Sequence, residues 1–246
     1  MALTVDAELK ANFQAFKTAA KTETGKVSSS IAASDAVFLS SYRLVCSFRG
    51  WHEIALNSLP EEVVGFFIEA HNDLLTSHVH ASNGMWRSAL ISLRSFMESY
   101  LCFIYFKDHP VELELWQKGD FRLEPKGLRQ YCVKHPKICR YALSKTAAAR
   151  LDNEYAKLSG SVHGSKVDFR MTSPSSYPAI ATSDVSRLKS WQGLQAQVVR
   201  NSLLIFLGLH CGLLQGAAHP AFRKVLAVNF TPATRKAIKA QMGINL

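Results

Sequence analysis

The stretch MWRSALISLRSFMESYLCFIYFK, residues 85–107, decides the fold. Leu90, Leu93, Met97, Leu101 and Ile104 recur at three- and four-residue spacing, which stacks them on one face of an α-helix. Asp108-His109-Pro110 supplies the stop, because proline cannot continue a helix and restrains the residue before it. Arg87, Arg94, Glu98 and Tyr100 flank the apolar stripe. Arg94 and Glu98 stand four residues apart and can pair on one side of the helix. On an open surface such a pair contributes little. In so apolar a helix it is expected to be partly buried, and a polar pocket between helices is one reason for burying it.

Working outward, Pro60-Glu61-Glu62 opens a strong helix whose acidic first turn suits the helix dipole. It is expected to run to about Ala81 and to end near Asn83-Gly84. Glu8–Thr22 reads as a short amphipathic helix, Thr24–Ser30 as a linker, and Ala33–Asn57 as one or two helices around Trp51. Between Pro110 and Ile138, Pro110, Gly119-Asp120, Pro125 and Pro136 leave room only for short helices, which Trp116 and Tyr131 fasten to the core. A helix over Lys145–Val162 ends at Gly164. Ser165–Ser183 reads as an irregular excursion with a short extended piece at Phe169–Met171. A long helix capped by Ser183 or Asp184 then runs to about Leu214, and Thr231-Pro-Ala-Thr opens a last short one. Alternating strand patterns are nearly absent and no repeat period emerges. The expected fold is an all-α helical bundle with one core and short irregular insertions. Residues 1–58 form an N-terminal helical extension and 59–246 the bundle.

The totals agree with a folded helical chain. Of 246 residues, 48% are hydrophobic, enough for a core and unlike a disordered chain. Thirteen glycines and eight prolines argue against a β-sandwich or a low-complexity protein. The apolar runs Ser95–Phe106 and Ser202–Leu214 carry Glu98 and His210, and the second is too short for a hydrocarbon layer of about 30 Å. Both read as buried helices of a soluble protein, with no membrane partner. The five cysteines, Cys46, Cys102, Cys132, Cys139 and Cys211, form no CxxC pair and are odd in number. A reducing cytoplasm suits them better than a disulfide framework. Met1–Thr22 is mixed and charged, unlike a signal peptide. The formal net charge of +10 favours a polyanionic partner such as RNA, DNA, anionic lipid or an acidic protein.

The second informative stretch is YAKLSGSVHG, residues 155–164. Tyr155, Ser159 and His163 follow one another at four-residue spacing and make a polar edge beside the apolar face of Leu151, Leu158 and Val162. A histidine at a helix C-terminus is favoured in its protonated form and could serve as general acid–base or as a cation against phosphate. Equally, His163 could cap the last carbonyls, with Tyr155 as a core aromatic.

Together, SALISLRSFMESY and YAKLSGSVHG resemble the HEPN-like helical domains of bacterial toxins and phage-defence proteins, over roughly residues 60–215. The resemblance implies an all-α fold and a homodimer built through paired helices. It also implies either metal-independent cleavage of RNA, in which the 2′-hydroxyl attacks the neighbouring phosphate, or a non-catalytic binding module. Family ribonucleases carry an arginine four to six residues before the histidine. Here the arginine nearest before His163 is Arg150, and the literal spacing occurs only at Arg129–His135, in the proline-broken segment. The site expected from the resemblance is therefore Arg94 holding phosphate charge, Glu98 orienting Arg94, Tyr155 and Ser159 donating hydrogen bonds, and His163 moving the proton. No cofactor is expected. A restraining partner protein from a toxin–antitoxin or defence system is a further implication.

A metal site is the rival chemistry. His71, Asp73, His78 and His80 share one helix, with His71 and His78 on one face, but no HExxH or HD motif occurs. Neither a Walker loop nor GxGxxG is present, and GSVHG is not the GxSxG of a hydrolase elbow. Basic residues gather near both ends and at Arg140, Lys145 and Arg150, where they could hold an RNA backbone or simply face solvent.

Overall fold

The computed structural model describes residues 4–56, 59–162 and 181–246. Among them the chain is all helical, without strands. The helices are α1 (Val5–Ala32), α2 (Asp35–Ala55), α3 (Glu61–Ser82), α4 (Trp86–Phe106), α5 (Pro110–Lys118), α6 (Pro125–Lys134), α7 (Pro136–Cys139), α8 (Ala142–Ala149), α9 (Leu151–Val162), α10 (Val185–Leu209), α11 (Pro220–Ala227) and α12 (Pro232–Met242). A 3₁₀ turn over Cys211–Leu214 follows α10. The all-α expectation holds.

The prolines act as starters more than breakers. α5, α6, α7, α11 and α12 each have proline in the first turn, where its missing N–H leaves no hydrogen bond unmade and its fixed φ suits the helix. Asp184 caps α10 by accepting from the N–H groups of Ser186 and Arg187.

Three expectations need correction. Thr24–Ser30 is not a linker but the continuing body of α1. The helix expected over Lys145–Val162 is two, parted at Arg150, and begins earlier, at Ala142. α11 was not anticipated. The excursion over 165–183 falls mostly outside the described residues, and its extended piece at Phe169–Met171 entirely so.

α3 and α4 form the most extensive helix pair, joined by a tight turn at Gly84. Gly84 has φ +68°, and a Cβ there would lie 2.6 Å from the Thr182 carbonyl oxygen, so both conformation and space require glycine. Thr182 N–H donates to the Gly84 carbonyl, and Trp86 Nε1 donates to the Thr182 carbonyl at 2.9 Å. The segment entering α10 is thereby fastened to the start of α4.

α10 closes the core. Asn201 to Leu209 are buried without interruption. Phe206 is its hub, with ring centroids 5.3–5.9 Å from Phe48, Trp51, Phe67, Tyr100 and Phe103. Phe48 and Trp51 belong to α2, so the expected N-terminal extension divides: α2 is part of the core, while α1 projects from it. Among the described helices α4 is long and apolar enough to cross a membrane, but 61% of its apolar window is buried inside the protein. Its hydropathy is that of a core helix.

Replacing Phe206 with Ala opens a cavity among five aromatic rings. Denaturant unfolding should show a loss of about 3–5 kcal/mol; an unchanged midpoint would contradict this packing.

Candidate functional site

Only one edge of α4 escapes full burial. Arg87 and Ile91 are exposed, and Arg94, Ser95, Glu98, Ser99, Cys102 and Tyr105 are half-buried. These positions follow at three- and four-residue steps, so they trace a strip along the helix. α9 packs beside it and brings Tyr155 onto Arg94 and Glu98.

The three side chains close a triangle. Arg94 Nε donates to Glu98 Oε1 at 3.0 Å, and Arg94 Nη2 donates to the Tyr155 hydroxyl at 2.8 Å. That hydroxyl donates to the same Glu98 oxygen at 2.7 Å. Arg94 and Glu98 keep side-chain exposures of 21% and 36%, so a solute can reach the triangle. Burial opposes the charge on Arg94, but the Glu98 carboxylate and the Tyr155 hydroxyl outweigh it and hold the guanidinium pKa above its ordinary value. Burial and the adjacent Glu98 push the Tyr155 phenol up as well. Tyr155 therefore stays protonated at neutral pH and serves as a hydrogen-bond donor, not a base.

A second arginine joins from α6. The Arg129 guanidinium carbon lies 4.1 Å from the Tyr155 ring centroid, against 5.0 Å for Arg94. Arg129 Nε donates to Asp152 Oδ1, one turn before Tyr155. Arg129 is nearly buried, and its Nη1 has no hydrogen-bond partner among the described residues. Tyr155 thus packs against two guanidinium groups, one bonded to its hydroxyl and one held over its ring.

The structure brings together Arg94, Glu98 and Tyr155 of the expected site. Ser159 lies on the same helix, but its Oγ is buried without a hydrogen-bond partner among the described residues, so it does not enter the triangle. His163 falls outside the described residues. The literal Arg129–His135 spacing does not make a pair. His135 instead donates from Nε2 to Asp108 at 3.0 Å, while its Nδ1 accepts the Lys137 N–H and caps α7. Tyr131 bonds the same Asp108 oxygen, and Lys107 the other. Burial alone would raise the Asp108 carboxyl, but these donors hold it below its ordinary value. His135 fixes the end of α4 to α7.

The histidines of α3 are likewise dispersed. His78 Nδ1 meets Ser41 at 2.8 Å, His80 Nδ1 meets Ser92 at 3.3 Å, and Asp73 accepts from Ser99. No group of three metal-ligating side chains comes together among the described residues.

Sequence reasoning missed Asp152 and the buried Glu154. The α9 pattern carried the signal for Glu154, since Leu151, Glu154, Tyr155 and Leu158 share the core-facing spacing. Glu154 is fully buried against α10; Asn201 Nδ2 donates to its Oε1, and Oε2 has no partner among the described residues. Burial pushes this carboxyl from about 4.5 up to about 7, against the opposing pull of the Asn201 hydrogen bond.

No family model matches this chain, and comparison with curated proteins and with solved structures finds no significant match.

The buried Glu154 makes stability depend on pH. Its folded-state pKa lies above the unfolded value, so between about 4.5 and about 7 the folded chain holds a proton that the unfolded chain releases. Stability should fall as pH rises through that window and level off above it. Glu154→Gln should flatten this slope and stabilise the protein at pH 8. The check is urea unfolding from pH 5 to 8; identical slopes in both proteins would contradict the assignment.

Proposed function

We propose that this protein acts on RNA as a HEPN-like effector, a metal-independent endoribonuclease of toxin or phage-defence type. The observation carrying the reading is Tyr155 in contact with both the Arg94 and Arg129 guanidiniums, with the Arg94–Glu98 edge open to a solute. A phosphodiester is the chemical group this arrangement suits. Arg94 has donors left over from its bonds to Glu98 and Tyr155, and a phosphate oxygen would complete its fork. Glu98 aligns that fork, and the Tyr155 hydroxyl supplies a fixed dipole beside it.

Arg94 and Tyr155 both hold their protons at neutral pH, so neither serves as the base. Proton transfer in this reading falls to His163, the titratable residue eight positions beyond Tyr155 in the sequence. The +10 net charge supplies long-range attraction for a nucleic acid. Cytoplasmic action and a homodimer belong to the same reading.

A second reading has its own support. The Tyr155 hydroxyl both donates and accepts within the triangle, so its hydrogen bonds are met with no ligand bound. That self-sufficiency suits a non-catalytic HEPN-like module that binds nucleic acid, a nucleotide or a partner protein.

Labelled RNAs of varied sequence, incubated in EDTA with wild type, Arg94→Ala and His163→Ala, separate the readings. The ribonuclease reading expects cleavage by wild type and at least a roughly hundredfold loss in each variant, the usual scale for a group acting on transition-state charge or on a proton. RNA retained on filters by wild type but uncut supports the binding module. Neither cleavage nor retention, with the protein folded, contradicts the ribonuclease reading and the nucleic-acid form of the binding module.

A further inference from the structure

The corner between α7 and α8 faces the end of α10, and a recess of about 240 Å³ opens between them. Its floor is held by bonds internal to the protein. Ser144 Oγ donates to the Ile138 carbonyl at 2.6 Å and fixes the corner. α10 approaches closely at Gly208, where a Cβ would lie 2.7 Å from that Ser144 Oγ. The Tyr141 hydroxyl donates to Cys211 Sγ at 3.3 Å, and Gln215 Nε2 donates to the Met242 carbonyl at 2.9 Å. The polar side chains of the floor thus meet their hydrogen-bonding needs within the fold.

The rim does not. Lys137 and Arg140 line the recess, both exposed, and neither forms an ion pair among the described residues. No described Asp or Glu lines the recess with them. The two cations stand three residues apart, with Arg140 still in helical conformation at the end of α7, so their heads can converge on one group. The C-terminus of α10 brings only about half a negative charge against these two positive ones. His210, between the lining residues Leu209 and Cys211, registers the surplus. Burial first, and then the Lys107 and Lys137 ammoniums, push its imidazole down to about 4, outweighing the nearby Asp108 carboxylate.

Gly212 keeps the space open, since a Cβ there would meet nothing within 4 Å. At roughly 30 Å³ per water the recess has room for about eight waters. That suits a compact ligand, below the roughly 300 Å³ where pockets for drug-sized molecules begin. Two converging cations match a dianion better than a single carboxylate, and the arginine fork takes two oxygens of one phosphate.

We propose that this recess is a binding site for a small phosphate monoester, whose dianionic group is held by Lys137 and Arg140 while its short carbon body lies over Gly212. Bound there, the ligand ties the α7–α8 corner to the end of α10. None of these residues belongs to the Arg94–Glu98–Tyr155 triangle, so the site does not rest on the RNA reading.

Isothermal titration calorimetry of the full chain with glycerol 3-phosphate tests it, with acetate, glycerol and a 5′-phosphorylated oligoribonucleotide as comparison probes. Glycerol 3-phosphate should saturate one site per chain with a Kd of about 1 mM or tighter. Acetate and glycerol should bind at least about tenfold more weakly. Lys137→Ala with Arg140→Ala should weaken glycerol 3-phosphate binding at least about tenfold, with the unliganded thermal midpoint unchanged because both side chains are exposed. Gly212→Phe keeps both cations but fills the recess, and should weaken binding as much. A wild type that shows no saturable site, or a Gly212→Phe variant that binds as wild type does, overturns the proposal. So does an oligoribonucleotide that binds through Lys137 and Arg140 where glycerol 3-phosphate does not, which would assign the two cations to a nucleic-acid backbone.

Discussion

α4 is covered around most of its circumference, and the other helices are arranged by the need to cover it. A core helix of this kind has to meet its partners on several sides at once. α3 takes one side as an antiparallel hairpin partner, and α10 another, joined to it by the bond from the Tyr100 hydroxyl to the Ser202 carbonyl. α6 and α9 take the edge that carries Arg94 and Glu98. Charged groups on a core helix need partners, since an unpaired buried charge is expensive. Tyr155 and Glu98 meet that need for Arg94, and in doing so they fix where α9 lies.

Packing and candidate chemistry therefore share the same residues. Arg94 is held by one acceptor on its own helix and one hydroxyl from α9, and Arg129 reaches the same ring from α6. Tyr155 therefore touches side chains of α4 and α6 at once, and the Arg129–Asp152 ion pair ties α6 to α9 beside it. The consequence is a guanidinium held in place by two partners at a partly open edge, unlike a flexible surface arginine.

Much of this was legible in the sequence, for physical reasons. The apolar repeat of residues 85–107 gave the central helix to within a residue at each end, because burial on several sides leaves a strong periodic signal. The pairing of Arg94 with Glu98 followed from four-residue spacing, and Tyr155 from the polar edge of its own helix. Arg129 was visible only as half of a spacing motif with His135, and that motif does not form. Sequence distance cannot show that α6 turns Arg129 toward Tyr155 while His135 turns toward Asp108. The break at Arg150 left no mark, because alanines and leucines on both sides favour helix equally. The Ser and Thr run in α1 read as a linker because hydroxyl residues compete for backbone bonds. In the structure those hydroxyls bond within the helix and leave it intact.

Arg94 and Tyr155 join α4 to α9 through one hydrogen bond. A double-mutant cycle of Arg94→Ala and Tyr155→Phe, read by equilibrium unfolding, measures that directly. A hydrogen-bonded pair involving a charged, partly buried group should show a coupling energy of about 1–3 kcal/mol. Additivity within about 0.5 kcal/mol would mean that the two side chains stabilise the protein independently, and would contradict the account.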